Sequence, residues 1–238
     1  MNINELEEAI KKFPLSLLAI KDKETLEIID SYLPFSVGIE IECDNKESFN
    51  EQIFKNILNI IEVNCSPNEK RFRIPNGLKG MVCLFEITKL LKKQCLLNPL
   101  SGIHYHIDMT DVFDFIDKTI IENNKNYILE ELDTWEYKGT YNKRDVKLDI
   151  RCWVRFDSYK KTCEFRIGEM TFDYELIFKR ILHCTDIIKK FRKLIKCNEY
   201  DLKLMKLEKE LNDIKIKETE IQPLIIPNRI INLKNYGG

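Results

Sequence analysis

The chain has 238 residues, 44% of them apolar, enough to bury a large core as one domain or one domain with an appendage. Its 38 Lys and Arg balance 39 Asp and Glu, so no overall field steers it toward nucleic acid or a membrane surface. Eight cysteines contain no C-x-x-C pair, and with three histidines they exclude zinc-finger spacing.

Several of these cysteines lie in apolar runs and read as small buried hydrophobes. The opening MNINELEEAIKKF is acidic and amphipathic, without the basic and apolar regions of a signal peptide. No apolar run approaches the ~18 residues of a membrane span. The expectation is a soluble, cytoplasmic protein with reduced thiols and no nucleic-acid or membrane partner.

In chain order, Leu6, Ile10, Phe13 and Leu17 recur at helical spacing over residues 4–20, with a boundary at Pro14. A second short helix is predicted over 23–32. The two form an N-terminal cap, residues 1–34. SVGIEIEC, residues 36–43, reads as a strand: Ile39 and Ile41 point one way, Glu40 and Glu42 the other. Two carboxylates about 7 Å apart on one strand face repel, and a hard divalent cation with oxygen ligands would offset that repulsion. A half-solvated strand carrying two glutamates is the plainer alternative.

Ser48 is the expected N-cap of a helix over 49–58. Residues 60–63 form a candidate strand, CSPNEK (65–70) a turn, RFRI (71–74) the next segment, and PNGLKG (75–80) a loop. MVCLFEITKLLKKQ (81–94) is a strong helix by period. After a turn through Asn98, Pro99, Ser101 and Gly102, IHYHID repeats the logic of the first strand. Ile103, Tyr105 and Ile107 share one face; His104, His106 and Asp108 share the other. Two histidines and an aspartate side by side on one strand face point to a ligand or catalytic role.

Thr110 is the predicted cap of a helix over 111–121, a further helix covers 127–135, and a basic loop runs through 135–147. Residues 148–157 and 162–169 read as an antiparallel hairpin around SYKK. Symmetric closure sets Asp157 opposite Thr162, Arg155 opposite Glu164 and Trp153 opposite Arg166. Arg151, Trp153, Arg155, Glu164 and Arg166 then line one face, a set suited to phosphates or carboxylates through guanidinium forks. Ordinary cross-strand ion pairing is the competing explanation. A long helix follows over 174–195, with His183 structural. Another is expected over 201–214, then an extended tail from 221.

Three motifs now stand in order: G-x-E-x-E at Gly38, Glu40 and Glu42; S-G-x-H-x-H at Ser101, Gly102, His104 and His106; and E-F-R at Glu164, Phe165 and Arg166. Over roughly residues 36–185 this series resembles the amidoligase family, among the carboxylate–amine ligases of the glutamine synthetase fold. The resemblance implies an α+β fold: a curved antiparallel sheet forming the floor of the active site, helices packed on its other face, a catalytic domain over 35–197, and residues 198–238 beside it. It implies that Glu40, Glu42, His104 and Glu164 bind Mg2+ or Mn2+. It sets His106 and Arg155 near the phosphates of ATP, and Arg166 at the transferring phosphoryl group with Arg151 and Glu42 in support. The activity implied is joining a small-molecule or peptide carboxylate to an amine through an acylphosphate.

No P-loop is present, so a nucleotide must bind by this other route. The chain departs from the family where members carry a carboxylate in a segment like E-x-x-S-P-x-L-x-G. Here RFRIPNGLKG puts Arg71 or Arg73 at that place, which implies an altered metal site, or an arginine that holds a substrate carboxylate instead. The rival readings are a metal-dependent hydrolase, in which H-x-H and carboxylates activate water, and a non-catalytic binding protein on an eroded ligase fold.

Overall fold

A computed structural model describes residues 2–98, 101–116, 128, 131 and 154–220 of the chain. The chain divides into two compact units, Met1–Ile195 and Lys196–Gly238. The first is built on a six-stranded, wholly antiparallel sheet with helices around it.

Each strand follows from the alternation in its sequence. Strand β1 (Val37–Glu42) buries Val37, Ile39 and Ile41 and leaves Gly38, Glu40 and Glu42 on the opposite face. A two-residue strand β2 (Asp44–Asn45) follows, and then β3 (Glu62–Cys65) and β4 (Glu69–Ile74) form a hairpin. Strand β5 (Cys95–Leu96) pairs with β2 in a separate small sheet. Strands β6 (Gly102–Asp108), β7 (Val154–Asp157) and β8 (Thr162–Glu169) complete the large sheet, whose order is β3-β4-β1-β6-β8-β7. The β7–β8 hairpin has the anticipated register: Asp157 lies opposite Thr162 and Arg155 opposite Glu164. Arg151, Trp153 and the predicted loop 135–147 lie outside the described residues.

The helices depart from the sequence reading in instructive ways. Helix α1 (Ile3–Lys12) begins with a capping box between Asn2 and Glu5, and a 3-10 turn (Pro14–Ala19) takes over at Pro14. Helix α2 (Lys23–Tyr32) is capped by Asp22, which accepts from the Thr25 amide at 2.8 Å. Helix α3 (Glu51–Lys55) is a short remnant of the helix expected over 49–58, and its cap is Asn50 rather than Ser48.

Helix α4 (Gly77–Gln94) overturns the loop reading of PNGLKG. Gly77 adopts φ +66°, and its amide donates to Leu33 O at 2.7 Å, while the next amide, Leu78, donates to Asp30 Oδ1 at 2.8 Å. A Cβ on Gly77 would collide with that carboxylate, 2.3 Å away. The helix start is thus held by a residue 48 positions earlier, which no local pattern reveals. Beyond β6, Thr110 opens a turn and a 3-10 segment (Phe113–Phe115) rather than the expected helix over 111–121, whose remainder lies outside the described residues. The two predicted C-terminal helices are one, α5 (Tyr174–Glu220).

One face of the sheet is the core. Ile39, Ile41, Phe72, Ile74, Ile103, Tyr105, Ile107, Val154 and Phe165 are all 2% exposed or less, in one cluster with Met81, Leu84, Ile87 and Leu91 of α4 and Ile177, Phe178, Ile181 and Phe191 of α5. Phe156 of β7 meets Phe191 with ring centres 5.5 Å apart. The N-terminal helices join this cluster through Leu6, Ile10, Leu17 and Ile29. Among the described residues no helix is long and apolar enough to cross a membrane.

Candidate functional site

The opposite face of the same strands gathers the ionisable groups. Antiparallel register puts Glu40 opposite both Arg71 on β4 and His104 on β6, and puts His106 opposite Glu164 on β8. The three motifs, separated by up to 126 positions in sequence, therefore lie on three adjacent strands. Between Ile103 and Tyr105 the β6–β8 register shifts by one residue beside His104. Such a bulge re-aims the side chains next to it and is common beside functional sites.

The convergence is close and largely dry. His104 is 1% exposed, Glu164 3% and His106 6%. His104 Nδ1 stands 3.5 Å from Glu40 Oε1 and 3.6 Å from Glu164 Oε1. His106 Nε2 stands 3.4 Å from Glu40 Oε2 and 3.9 Å from Glu164 Oε1, and its Nδ1 is 3.4 Å from Thr162 Oγ1. These separations lie at or beyond the limit of a good hydrogen bond. Both nitrogens of His104 and Nε2 of His106 are buried without a hydrogen-bond partner. A buried polar atom left so costs about 1–3 kcal/mol. Arg166 donates to Glu164 Oε1 at 3.2 Å, a contact that uses one of its five N–H donors.

Glu40 has a second cation. Arg71 Nε lies 3.5 Å from Glu40 Oε2, and the same guanidinium pairs with Glu69. The imidazoles of His104 and then His106 hold the Glu40 carboxyl well below the usual carboxylate range, with Arg71 adding to them and partial burial opposing them. Glu42 makes no ion pair with Arg71, His104 or His106 among the described residues. Its carboxylate passes over Gly102, where a Cβ would stand 3.1 Å from Glu42 Oε2 and 4.0 Å from His104 Nε2. It borders the site on the far side of His104.

Beside the cluster, toward β3 and β4, opens a cleft of about 360 Å3. Gly38 is part of its floor, in register between Arg73 and His106, and a Cβ there would press to 3.1 Å from His106 Cβ. Its walls carry Asn64, Arg71 and Arg73 on one side and Asp108, Lys160 and Thr162 on the other.

Of the anticipated site residues, the structure brings together Glu40, His104, His106, Glu164 and Arg166, with Glu42 at the border. Arg155 is opposite Glu164 in register but makes no ion pair with it among the described residues, and Arg151 lies outside them. Arg71, one of the two arginines that stand where the resembled family carries a carboxylate, enters the cluster as a contact of Glu40. The donor chemistry fits a divalent cation, since carboxylate oxygens and unpartnered imidazole nitrogens face one another. The side chains as they stand are closed onto each other: among the described residues, no group of three or more His, Cys, Asp or Glu is spread so as to hold a metal ion. Compared with known proteins, the chain matches no family model and no curated protein.

Proposed function

We propose that this face is the centre of an ATP- and Mg2+- or Mn2+-dependent ligase that joins a carboxylate to an amine. The single observation that carries the reading is the meeting of Glu40, His104, His106, Glu164 and Arg166 on three neighbouring strands, with buried imidazole nitrogens that stand beside the carboxylates without a hydrogen bond to them. Burying such groups is unfavourable unless something bound satisfies them. The motif order resembling the amidoligases gives that partner a chemistry.

In this reading Glu40, His104 and Glu164 hold the cation, with Glu42 at its edge. When bound, the cation neutralises charge on phosphate oxygens. Arg166 meets the γ-phosphoryl group with the guanidinium hydrogens that Glu164 leaves over. A carboxylate oxygen of the substrate forms a bond to the γ-phosphorus as the bond to ADP breaks, giving an acylphosphate. The amine nitrogen then bonds to the acyl carbon, phosphate leaves with the bonding pair, and one proton departs from nitrogen. The enclosed histidine–glutamate cluster limits hydrolysis of the acylphosphate by excluding water.

A second reading has its own observation. Arg71 rests on Glu40, so a guanidinium supplies part of the positive charge that the carboxylates require. This favours a binding protein on a ligase-like face that has given up catalysis. Calorimetry of Mg2+-dependent ATP binding separates the two. The ligase reading expects micromolar to millimolar binding that Glu42→Ala and Glu164→Ala both abolish. A folded wild-type protein that binds no Mg-ATP overturns it.

A further inference from the structure

We infer that the C-terminal part of α5 is a self-association surface whose partner is the same stretch of a second copy of this chain, lying parallel to it in a two-stranded coiled coil. The inference is independent of the chemistry on the sheet.

Helix α5 runs for 47 residues, about 70 Å at 1.5 Å per residue, and carries two apolar stripes in succession. The first is spent on the domain core. Ile177, Ile181, Cys184, Ile188, Phe191 and Ile195 alternate four and three residues apart, and all are 1% exposed or less. The second lies in the compact unit that begins at Lys196. Tyr200, Leu204, Leu207 and Leu211 keep the alternation of four and three, and Ile214 continues it. Here the described side chains face solvent: Tyr200 is 68% exposed, Leu204 45%, Leu207 and Leu211 56% each. The second stripe does not continue the first. Extended past Ile195, the first would fall on Asn198, Leu202, Met205 and Lys209. A shift of two residues turns the second stripe about 200° around the helix. Burial of the first therefore does nothing for the second.

A helix in water is held by the packing of its apolar side more than by propensity, so an exposed leucine stripe calls for a partner. Spacing gives the partner's shape. With Tyr200, Leu207 and Ile214 at d and Leu204 and Leu211 at a, the stripe is a heptad seam that packs on another helix, knobs into holes. Charge gives its identity and direction. Lys203 and Glu210 take the g positions beside the seam, and Glu208 and Lys215 the e positions. In a parallel pair each g position meets the e position of the next heptad in the other chain. Two copies in register therefore set Lys203 against Glu208 and Glu210 against Lys215, opposite charges on both sides of the seam. The antiparallel alignment with the most apolar layers sets e against e, which brings Asp201 onto Glu208 and repels. The seam spans about two heptads, short of the three or four of a firm coiled coil, so the dimer is weak, with Kd between about 1 μM and 1 mM.

Sedimentation equilibrium of the full chain in reducing, low-salt buffer tests the inference on wild type, Leu207→Lys, Glu208→Lys and the double variant Lys203→Glu/Glu208→Lys. Circular dichroism and thermal melts confirm that each variant folds. Wild type should pass from one chain to two as its concentration rises. Leu207→Lys should weaken the dimer by about a hundredfold, because it sets two ammonium groups in the seam. Glu208→Lys should weaken it by about fivefold or more, facing lysine with lysine, and the double variant should return to within about twofold of wild type. Glu208 is exposed, so this pair of variants keeps the test decisive if Leu207→Lys frays the helix.

A wild type that stays one chain up to about 1 mM overturns the inference, and is the outcome expected if residues beyond the helix cover the stripe in the same molecule. A dimer indifferent to both Leu207→Lys and Glu208→Lys places the contact elsewhere and overturns it as well. A dimer tightened by Glu208→Lys is antiparallel, and an assembly of three or more chains is not two-stranded; either result overturns the arrangement inferred.

Discussion

The two faces of one sheet treat buried charge in opposite ways. On the core face, Lys70 is wholly buried, yet its ammonium donates to Cys43 O and Pro67 O at 2.7 Å each and stands 5.3 Å from the Phe49 ring centre. On the other face, His104 is nearly as deep and has no hydrogen-bond partner for either nitrogen. The lysine is a structural cation whose donors have been matched within the fold. The histidine sits among groups at 3.5 Å and more, distances that suit donors waiting for a shared partner better than donors already bonded. Burial alone therefore does not distinguish Lys70 from His104; hydrogen-bond satisfaction does.

That contrast is sharpest where a substitution acts on one face and not on the other. Phe165 and Glu164 are neighbours on β8, both buried, facing opposite ways. Phe165→Ala should destabilise the fold by about 3–5 kcal/mol through lost apolar contact and a cavity, read by urea unfolding. Lys70→Met keeps the apolar stem and strips the donors from two carbonyls, a loss of about 1–3 kcal/mol. If Lys70→Met leaves stability unchanged, the claim that the core face has matched this charge fails.

The same alternation explains how much the sequence could reveal. The period of two in GIEIE, HYHID and RFDSYKKTCEFR put every carboxylate and imidazole of the cluster on the correct face, and closure of SYKK gave the correct register opposite Glu164. Which strands would be neighbours was not readable. The order β4-β1-β6-β8 depends on long-range pairing, and it brought Arg71 onto Glu40. The start of α4 was hidden for a related reason. Pro75, Asn76 and Gly77 carry every local mark of a loop, and only Asp30 and Leu33, brought in by α2, make them a helix start. The single helix α5 shows the weakness of charge runs as boundary signals, since Lys- and Glu-rich stretches propagate a helix as readily as they end one.

On the polar face, the expected effects are on binding rather than folding. Glu164→Gln keeps the shape of the side chain and removes one charge from a site where two carboxylates face the same imidazoles. Stability should change by less than about 1 kcal/mol, because relief of carboxylate repulsion offsets the weakened Arg166 pair. Mg2+-dependent ATP binding should fall by about tenfold or more. A variant that loses several kcal/mol of stability and keeps Mg-ATP binding would make Glu164 a structural residue like Lys70 and erase the contrast between the faces.

The smallest expected effect belongs to the core face and is visible only in alkali. Cys83 on α4 is fully buried, and burial pushes its thiol up to about 12. In the unfolded chain a thiol ionises near 8.5. A folded value above the unfolded one means that the native state holds its proton longer. This contribution to stability is fully present below about pH 8.5 and is lost as the pH rises through the interval toward 12. Between pH 8 and 9.5, in reducing buffer, wild type should therefore lose about 1 kcal/mol more stability than Cys83→Ala, whose alkaline slope lacks this group. Parallel curves for the two proteins would mean that water reaches the thiol. The core face would then be less dry than its packing against α4 implies, and its difference from the histidine face would be one of composition alone.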